Sequence, residues 1–372
     1  MTLLGIVLAG LLLGFANGGN DNFKGVATLH GSGTLGYRPA LAWATLTTAL
    51  GSLSAVFLAG KLLAAFSGKG LVPAAVAATP AFAAAVGLAA AATVLLATRS
   101  GFPVSTTHAL IGGLIGAGLA TPDSHLVLAT LGQGFVLPLL LSPLLAVSLT
   151  ALLYPFLRRV RERAGIDRQT CVCIGPEVLH TVPGHLAPAQ AAALTTEYRL
   201  RVDSEANCRL RYVGEFIGLP ANRLLDAAHL CAGGAVSFAR GLNDTPKIAA
   251  LLLVGGWLSP AESLLPIAAA IALGGWFAAH RVAETMAHRI TSMNPGQGLT
   301  ANLVTAGLVI GASRLGLPVS TTHVSCGALF GLGAVTGQAN WQIVREILLA
   351  WLLTLPVAGA LAAGLAWSFA RF

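Results

Sequence analysis

The chain has 372 residues, of which 55% are hydrophobic and only 10% charged, about half or less of the charged share of a soluble globular domain. That composition excludes a water-soluble enzyme and puts the chain in a bilayer. The formal charge of +8 would suit a nucleic-acid binder, but no segment interleaves its basic residues with exposed aromatics, so membrane topology accounts for the excess and no nucleic-acid partner is expected.

The first apolar run, 2–17, has no Lys or Arg before it and no small-residue cleavage pattern, and reads as a retained helix. It leads into Phe15-Ala16-Asn17-Gly18-Gly19-Asn20-Asp21-Asn22-Phe23-Lys24. Segment 22–38 is too polar to span and predicts a half-helix or re-entrant piece. Runs at 39–60, 79–98, 103–121 and 126–155 follow, near the roughly 20 residues that a ~30 Å hydrocarbon core requires. The fourth opens on Pro103-Val104-Ser105-Thr106-Thr107-His108.

Residues 156–223 hold ten Lys/Arg and seven Asp/Glu, and form the one long stretch unable to lie in lipid, hence a loop or small soluble insert. The five cysteines, Cys171, Cys173, Cys208, Cys231 and Cys326, are odd in number and scattered, which predicts reduced thiols and no disulfide framework. Cys171 and Cys173, with His180 and His185 beyond them, lack the two or more intervening residues usual in a zinc pair, so no metal is expected.

Spans at 224–239, 262–280, 299–313, 318–337 and 343–370 make up the second half, with another break predicted over 245–261, where Pro246 stands. Phe238-Ala239-Arg240-Gly241-Leu242-Asn243-Asp244-Thr245-Pro246-Lys247 matches the first motif as F-A-x-G-x-N-D-x-x-K, and Pro318-Val319-Ser320-Thr321-Thr322-His323 repeats the second residue for residue. Two such matches in one order mean duplication. An odd number of spans per copy makes the second enter the membrane from the opposite side. The expected fold is therefore an all-α polytopic membrane protein of two inverted-topology repeats with broken or re-entrant helices. Its parts are a first transmembrane repeat at 1–155, a polar cytoplasmic loop at 156–223 and a second transmembrane repeat at 224–372.

Arg158, Arg159, Arg161 and Arg163 directly after the fifth span favour the cytoplasm for the loop and the outside for both termini. Arg281 and Arg289 fall on the same side in that arrangement, Lys61 and Lys69 on the other.

An ionised carboxylate at membrane depth costs about 2.5 to 3.5 kcal/mol, so Asp21 and Asp244 need partners, water or a function; the plainer reading is that each caps a helix starting just after it. Gly18, Gly19 and Gly241 would break the helices beside these acids and expose unpaired N–H groups to an anion. The hydroxyls of Ser105, Thr106, Ser320 and Thr321 follow a proline, where a new helix starts, and either donate to an oxyanion or bond back to their own helices. His108 and His323 either relay protons or orient the hydroxyls. Arg99 and Arg314, four residues before the prolines, either bind anion or reach the interface.

These paired elements, in this order and separated by a polar loop, resemble the inorganic phosphate transporter (PiT) family over both halves of the chain. The resemblance implies secondary active transport of inorganic phosphate coupled to sodium or protons, with no enzymatic activity. By it Asn20, Asp21, Ser105, Thr106, Thr107, Asn243, Asp244, Ser320, Thr321 and Thr322 contact phosphate, and Asp21 and Asp244 contact the coupling cation. Where the commoner family pattern continues N-D-V-A-N, this chain has Lys24 and Lys247. A fixed ammonium there either stands in for a bound sodium ion or points away to the interface. Sulfate is the rival substrate; it has no proton to share with two bare carboxylates, which favours phosphate. The expected setting is the plasma (inner) membrane. The sequence sets no oligomeric state, a homodimer included.

Overall fold

The computed structural model describes residues 3–58, 60–67, 70–122, 124–167, 169–178, 196–211, 217–254 and 256–371. Two compact units result: one from Met1–Tyr154 together with His229–Phe372, and a smaller one from Pro155–Ala228.

Helices of the first half are α1 (Leu3–Asp21), α2 (Ala27–Gly31), α3 (Tyr37–Leu58), α4 (Gly60–Ala65), α5 (Ala74–Ala77), α6 (Pro80–Arg99), α7 (Thr106–Ala120), α8 (Leu128–Leu131) and α9 (Leu137–Arg163), with a π turn joining the last two. After α10 (Glu205–Arg211) come α11 (Ala221–Ala249), α12 (Pro260–Ala278), α13 (His280–Glu284), α14 (Pro295–Leu315), α15 (Thr321–Thr336) and α16 (Trp341–Phe369). Each of the ten apolar runs coincides with a helix. Among the described residues seven helical segments are long and apolar enough to cross a membrane.

Several expectations change. The runs at 103–121 and 318–337, read as full spans, form α7 and α15 of 15 and 16 residues, which at 1.5 Å per residue reach about 22 to 24 Å, short of a ~30 Å core. The cause is local: the prolines hold the chain extended up to Ser105 and Ser320, whose hydroxyl oxygens accept from the main-chain N–H of His108 and His323 and start the helices there. Segment 245–261 does not break at Pro246, because α11 runs through it to Ala249 before a short 3-10 turn over Ala250–Leu253.

Gly18, Gly19 and Gly241 do not break helices either. All three lie within α1 or α11, and none has positive φ. They let helices touch: a Cβ at Gly18 would run into the carbonyl of Ile271 on α12, and one at Gly274 into that of Phe15 on α1. The second copy repeats the contact between Gly241 and Thr48 and between Gly51 and Phe238. Likewise Gly112 and Gly116 of α7 seat against the carbonyls of Leu355 and Gly359 on α16, and Gly327 and Gly331 of α15 against those of Pro143 and Val147 on α9. Small residues at four-residue spacing are how helices approach where lipid is as apolar as their side chains.

The smaller unit carries a three-stranded antiparallel sheet ordered β2-β1-β3, with β1 at Thr170–Val178, β2 at Thr196–Ser204 and β3 at Ile217–Pro220. Strand alternation puts Cys171 and Cys173 on one face of β1, and Cys208 of α10 joins them in a buried cluster. Against the expectation of reduced thiols, Cys173 and Cys208 form a disulfide, while Cys171 stays free. In so small a unit a covalent staple supplements a slight apolar core. His180 and His185 lie outside the described residues, as does Lys69.

Candidate functional site

Asn20 and Asp21 are the last residues of α1, with Lys24 in the turn beyond, and Asn243 and Asp244 lie within α11, with Lys247 in its last turn. Neither acid precedes a helix start that it could cap. Both are buried, Asp21 at 1% and Asp244 at 3% exposure, so each depends on protein partners.

Those partners come from both halves of the chain. Asp21 Oδ1 pairs with Lys24 Nζ, and its Oδ2 accepts from Asn17 Nδ2 at 2.8 Å and Thr106 Oγ1 at 3.3 Å. Asp244 Oδ1 accepts from Asn243 Nδ2 at 2.9 Å, and its Oδ2 from Thr321 Oγ1 at 3.2 Å. Asn17 Nδ2 also lies 3.5 Å from Asp244 Oδ2, so one amide bridges the two carboxylates.

Lys24 and Lys247, 3% and 1% exposed, point inward; the reading that sends them to the interface is overturned. Lys24 Nζ donates to Asn20 Oδ1 at 3.0 Å, Val104 O at 3.1 Å and Thr322 Oγ1 at 2.5 Å, besides Asp21. Lys247 Nζ donates to Val319 O at 2.7 Å and Thr107 Oγ1 at 2.9 Å, with Asp244 Oδ1 at 3.6 Å. The pattern is reciprocal: each lysine takes a carbonyl from one P-V-S-T-T-H string, Val104 or Val319, and a threonine from the other, Thr322 or Thr107.

All ten residues expected to contact phosphate are buried around this centre. Ser105 and Ser320 cap α7 and α15 with their oxygens as acceptors, which leaves each hydroxyl hydrogen available to donate. The first-turn N–H groups of both helices stand at the same strings, and such groups attract anions. His108 and His323 back the hydroxyls: their rings lie 4.3 Å apart, His323 stacks on Trp351 at 3.8 Å, and Trp351 Nε1 donates to Pro103 O at 2.9 Å. Neither imidazole hydrogen-bonds either carboxylate among the described residues. Arg99 and Arg314 are exposed and outside the centre.

Sequence reasoning passed over Arg240, Asn17, Asn22, Thr48, Thr98 and Ser313. Arg240, 1% exposed, donates through Nη2 to Asn17 Oδ1 at 2.7 Å and through Nη1 to Asn22 Oδ1 at 3.0 Å and Thr48 Oγ1 at 3.3 Å. Its Nε lies 3.8 Å from Asp244 Oδ2. The signal was in the aligned repeats, where the x of F-A-x-G is Asn17 in one copy and Arg240 in the other: a guanidinium at membrane depth demands an explanation. Thr98 and Ser313, each five residues before a motif proline, hydrogen-bond Asn20 and Asn243.

Comparison with known proteins addresses the chain as a whole. The chain is similar to "Probable low-affinity inorganic phosphate transporter" of Rhizobium meliloti, at 30% identity over 97% of this chain and 94% of that one. It is 27% identical to "Inorganic phosphate transporter 2-1, chloroplastic" of Arabidopsis thaliana over 98% of this chain and 72% of that protein. Among solved structures, that of "The sodium-dependent phosphate transporter" shares the fold, with a TM-score of 0.75 at 23% identity over 100% of this chain and 99% of the other. The model of the phosphate transporter family matches residues 17–362, which takes in both Asn-Asp pairs and both P-V-S-T-T-H strings, and the chain belongs to that family.

Proposed function

We propose that the chain is a secondary carrier that moves inorganic phosphate across the membrane, with the anion held between the two P-V-S-T-T-H strings and the paired Asn-Asp residues. The observation that supports this most directly is the convergence of Asp21, Asp244 and both hydroxyl strings in one buried centre drawn from both repeats. Ser105, Thr106 and Thr107 with Ser320, Thr321 and Thr322 supply donors, Asn243 holds Asp244 in register while Asn20 ties the end of α1 to Phe102 and Val104, and the two carboxylates accept hydrogen bonds from the protons that phosphate retains near neutral pH. A centre this enclosed opens to one side at a time, with the repeats in opposite orientation supplying the two half-cycles.

The membrane is the plasma (inner) membrane, with the segment around Arg158–Arg163 inside and both termini outside. That orientation rests on the arginines alone; the Cys173–Cys208 disulfide, of a kind that persists in oxidising compartments, argues for the opposite side.

Sulfate is the second reading, and one observation favours it. Lys24, Arg240 and Lys247 lie against the carboxylates, so bare-charge repulsion no longer separates a fully ionised dianion from phosphate. The preference for phosphate is carried by the family.

Purified protein in proteoliposomes should show saturable uptake of radiolabelled phosphate, inhibited more strongly by arsenate, which shares size and ionisable protons, than by sulfate. Equal or stronger inhibition by sulfate transfers the assignment to the second reading. Ser105→Ala with Thr106→Val should weaken phosphate binding by about 1 to 3 kcal/mol per lost donor to a charged ligand, and Ser320→Ala with Thr321→Val should match it. Unchanged apparent affinity in both pairs removes the hydroxyls from the site.

A further inference from the structure

Five ionisable groups of fixed sign meet at the centre: two carboxylates, Asp21 and Asp244, and three cations, Lys24, Arg240 and Lys247, none more than 3% exposed. With the groups charged, three against two leaves the empty site at +1. A proton passing from Lys24 to Asp21 leaves the sum unchanged, so the surplus belongs to the residue set rather than to one protonation pattern. His108, His323 and Cys326, the other titratable groups packed around it on α7 and α15, add nothing as neutral imidazoles and a neutral thiol.

The surroundings of the ammonium groups point the same way. Lys24 Nζ is ringed by an amide oxygen, a carboxylate oxygen, a main-chain carbonyl and a hydroxyl, and Lys247 Nζ by a carbonyl, a hydroxyl and a carboxylate oxygen. Neutral and anionic oxygens of this mix are what hard metal cations take as ligands. Each ammonium fills the centre of its ring, which excludes a metal ion from the same space.

We propose that Lys24, Arg240 and Lys247 are tethered counter-cations that make sodium dispensable, and that the site accepts phosphate as the singly charged dihydrogen anion, equivalent to dibasic phosphate carried with one proton. The occupied site is then neutral. Dibasic phosphate alone would leave an uncompensated negative charge in a buried, low-dielectric centre, which is strongly unfavourable. At fixed total phosphate, uptake therefore rises as external pH falls through neutrality, because the dihydrogen fraction grows. The inference rests on the phosphate reading above.

The test is uptake of radiolabelled phosphate into proteoliposomes of the full chain under an imposed pH gradient, alkaline inside, and separately under an imposed sodium gradient at equal pH. Phosphate counterflow with no ion gradient is measured alongside. The proposal expects counterflow, uptake unchanged when choline replaces all sodium, and up to about tenfold accumulation of dibasic phosphate per unit of pH gradient, the limit for one coupled proton. Lys24→Asn with Lys247→Asn should create a sodium requirement absent from the wild type, and Lys24→Arg, which keeps the charge, should not. Counterflow together with uptake that is lost without sodium in the wild type overturns the inference and leaves the phosphate reading standing. Absence of both counterflow and uptake removes the phosphate reading, and this inference with it. The wild-type measurement decides the matter even where a variant fails to fold.

Discussion

Asp21→Asn abolishes phosphate transport and also lowers the stability of the folded protein by about 3 to 5 kcal/mol, the usual penalty for stripping one partner from a buried ion pair. From sequence alone, neutralising an acid inside a membrane ought to leave the fold intact. The structure changes that expectation, because Lys24 loses its carboxylate while staying enclosed by Asn20, Val104 and Thr322 at 3% exposure. The two effects separate in a second variant. Asp21→Asn combined with Lys24→Asn removes a balanced pair, so thermal unfolding in detergent should return toward the wild type while counterflow stays absent. Asp244→Asn should behave similarly with a smaller stability loss, since Arg240 Nε and Lys247 Nζ stand at 3.8 and 3.6 Å, outside direct hydrogen-bonding range. Near-normal counterflow in either single variant returns the acids to a purely structural role.

Arg240→Leu has the second large effect, on folding first. The guanidinium is forked between Asn17 and Asn22 and reaches Thr48 of α3, so its removal leaves several buried oxygens without a donor, at about 1 to 3 kcal/mol each. Two carboxylates would also face only two cations. Arg240→Lys should recover little, because a single ammonium cannot span Asn17 and Asn22 together. Size-exclusion profile and melting temperature in detergent are the readouts. A variant that stays monodisperse with an unchanged melting temperature would show that the centre does not depend on this residue.

Amino-acid order by itself determined the membrane class, the duplication and the residue types that stand at the two motif pairs, because long apolar runs and repeated polar strings are local and need no knowledge of contacts. It also brought Lys24 and Lys247 to notice, though not the direction in which they point. Their inward course depends on Val104, Thr322, Val319 and Thr107, residues 72 to 298 positions away in the chain, which only folding assembles. Gly18 and Gly241 were misread for a related reason. A glycine that breaks a helix and a glycine that admits a neighbouring backbone look alike in one dimension, and the carbonyls of Ile271 and Thr48 across the interface decide between them. Arg240 needed the tertiary structure most. Its charge could be read from the chain, but its place as the third cation of one shared centre follows from α3 and α11 packing at glycine contacts while the glycines of α1 seat that helix on α12, an arrangement in which Asn17, Asn22 and Thr48 come within reach of a single guanidinium.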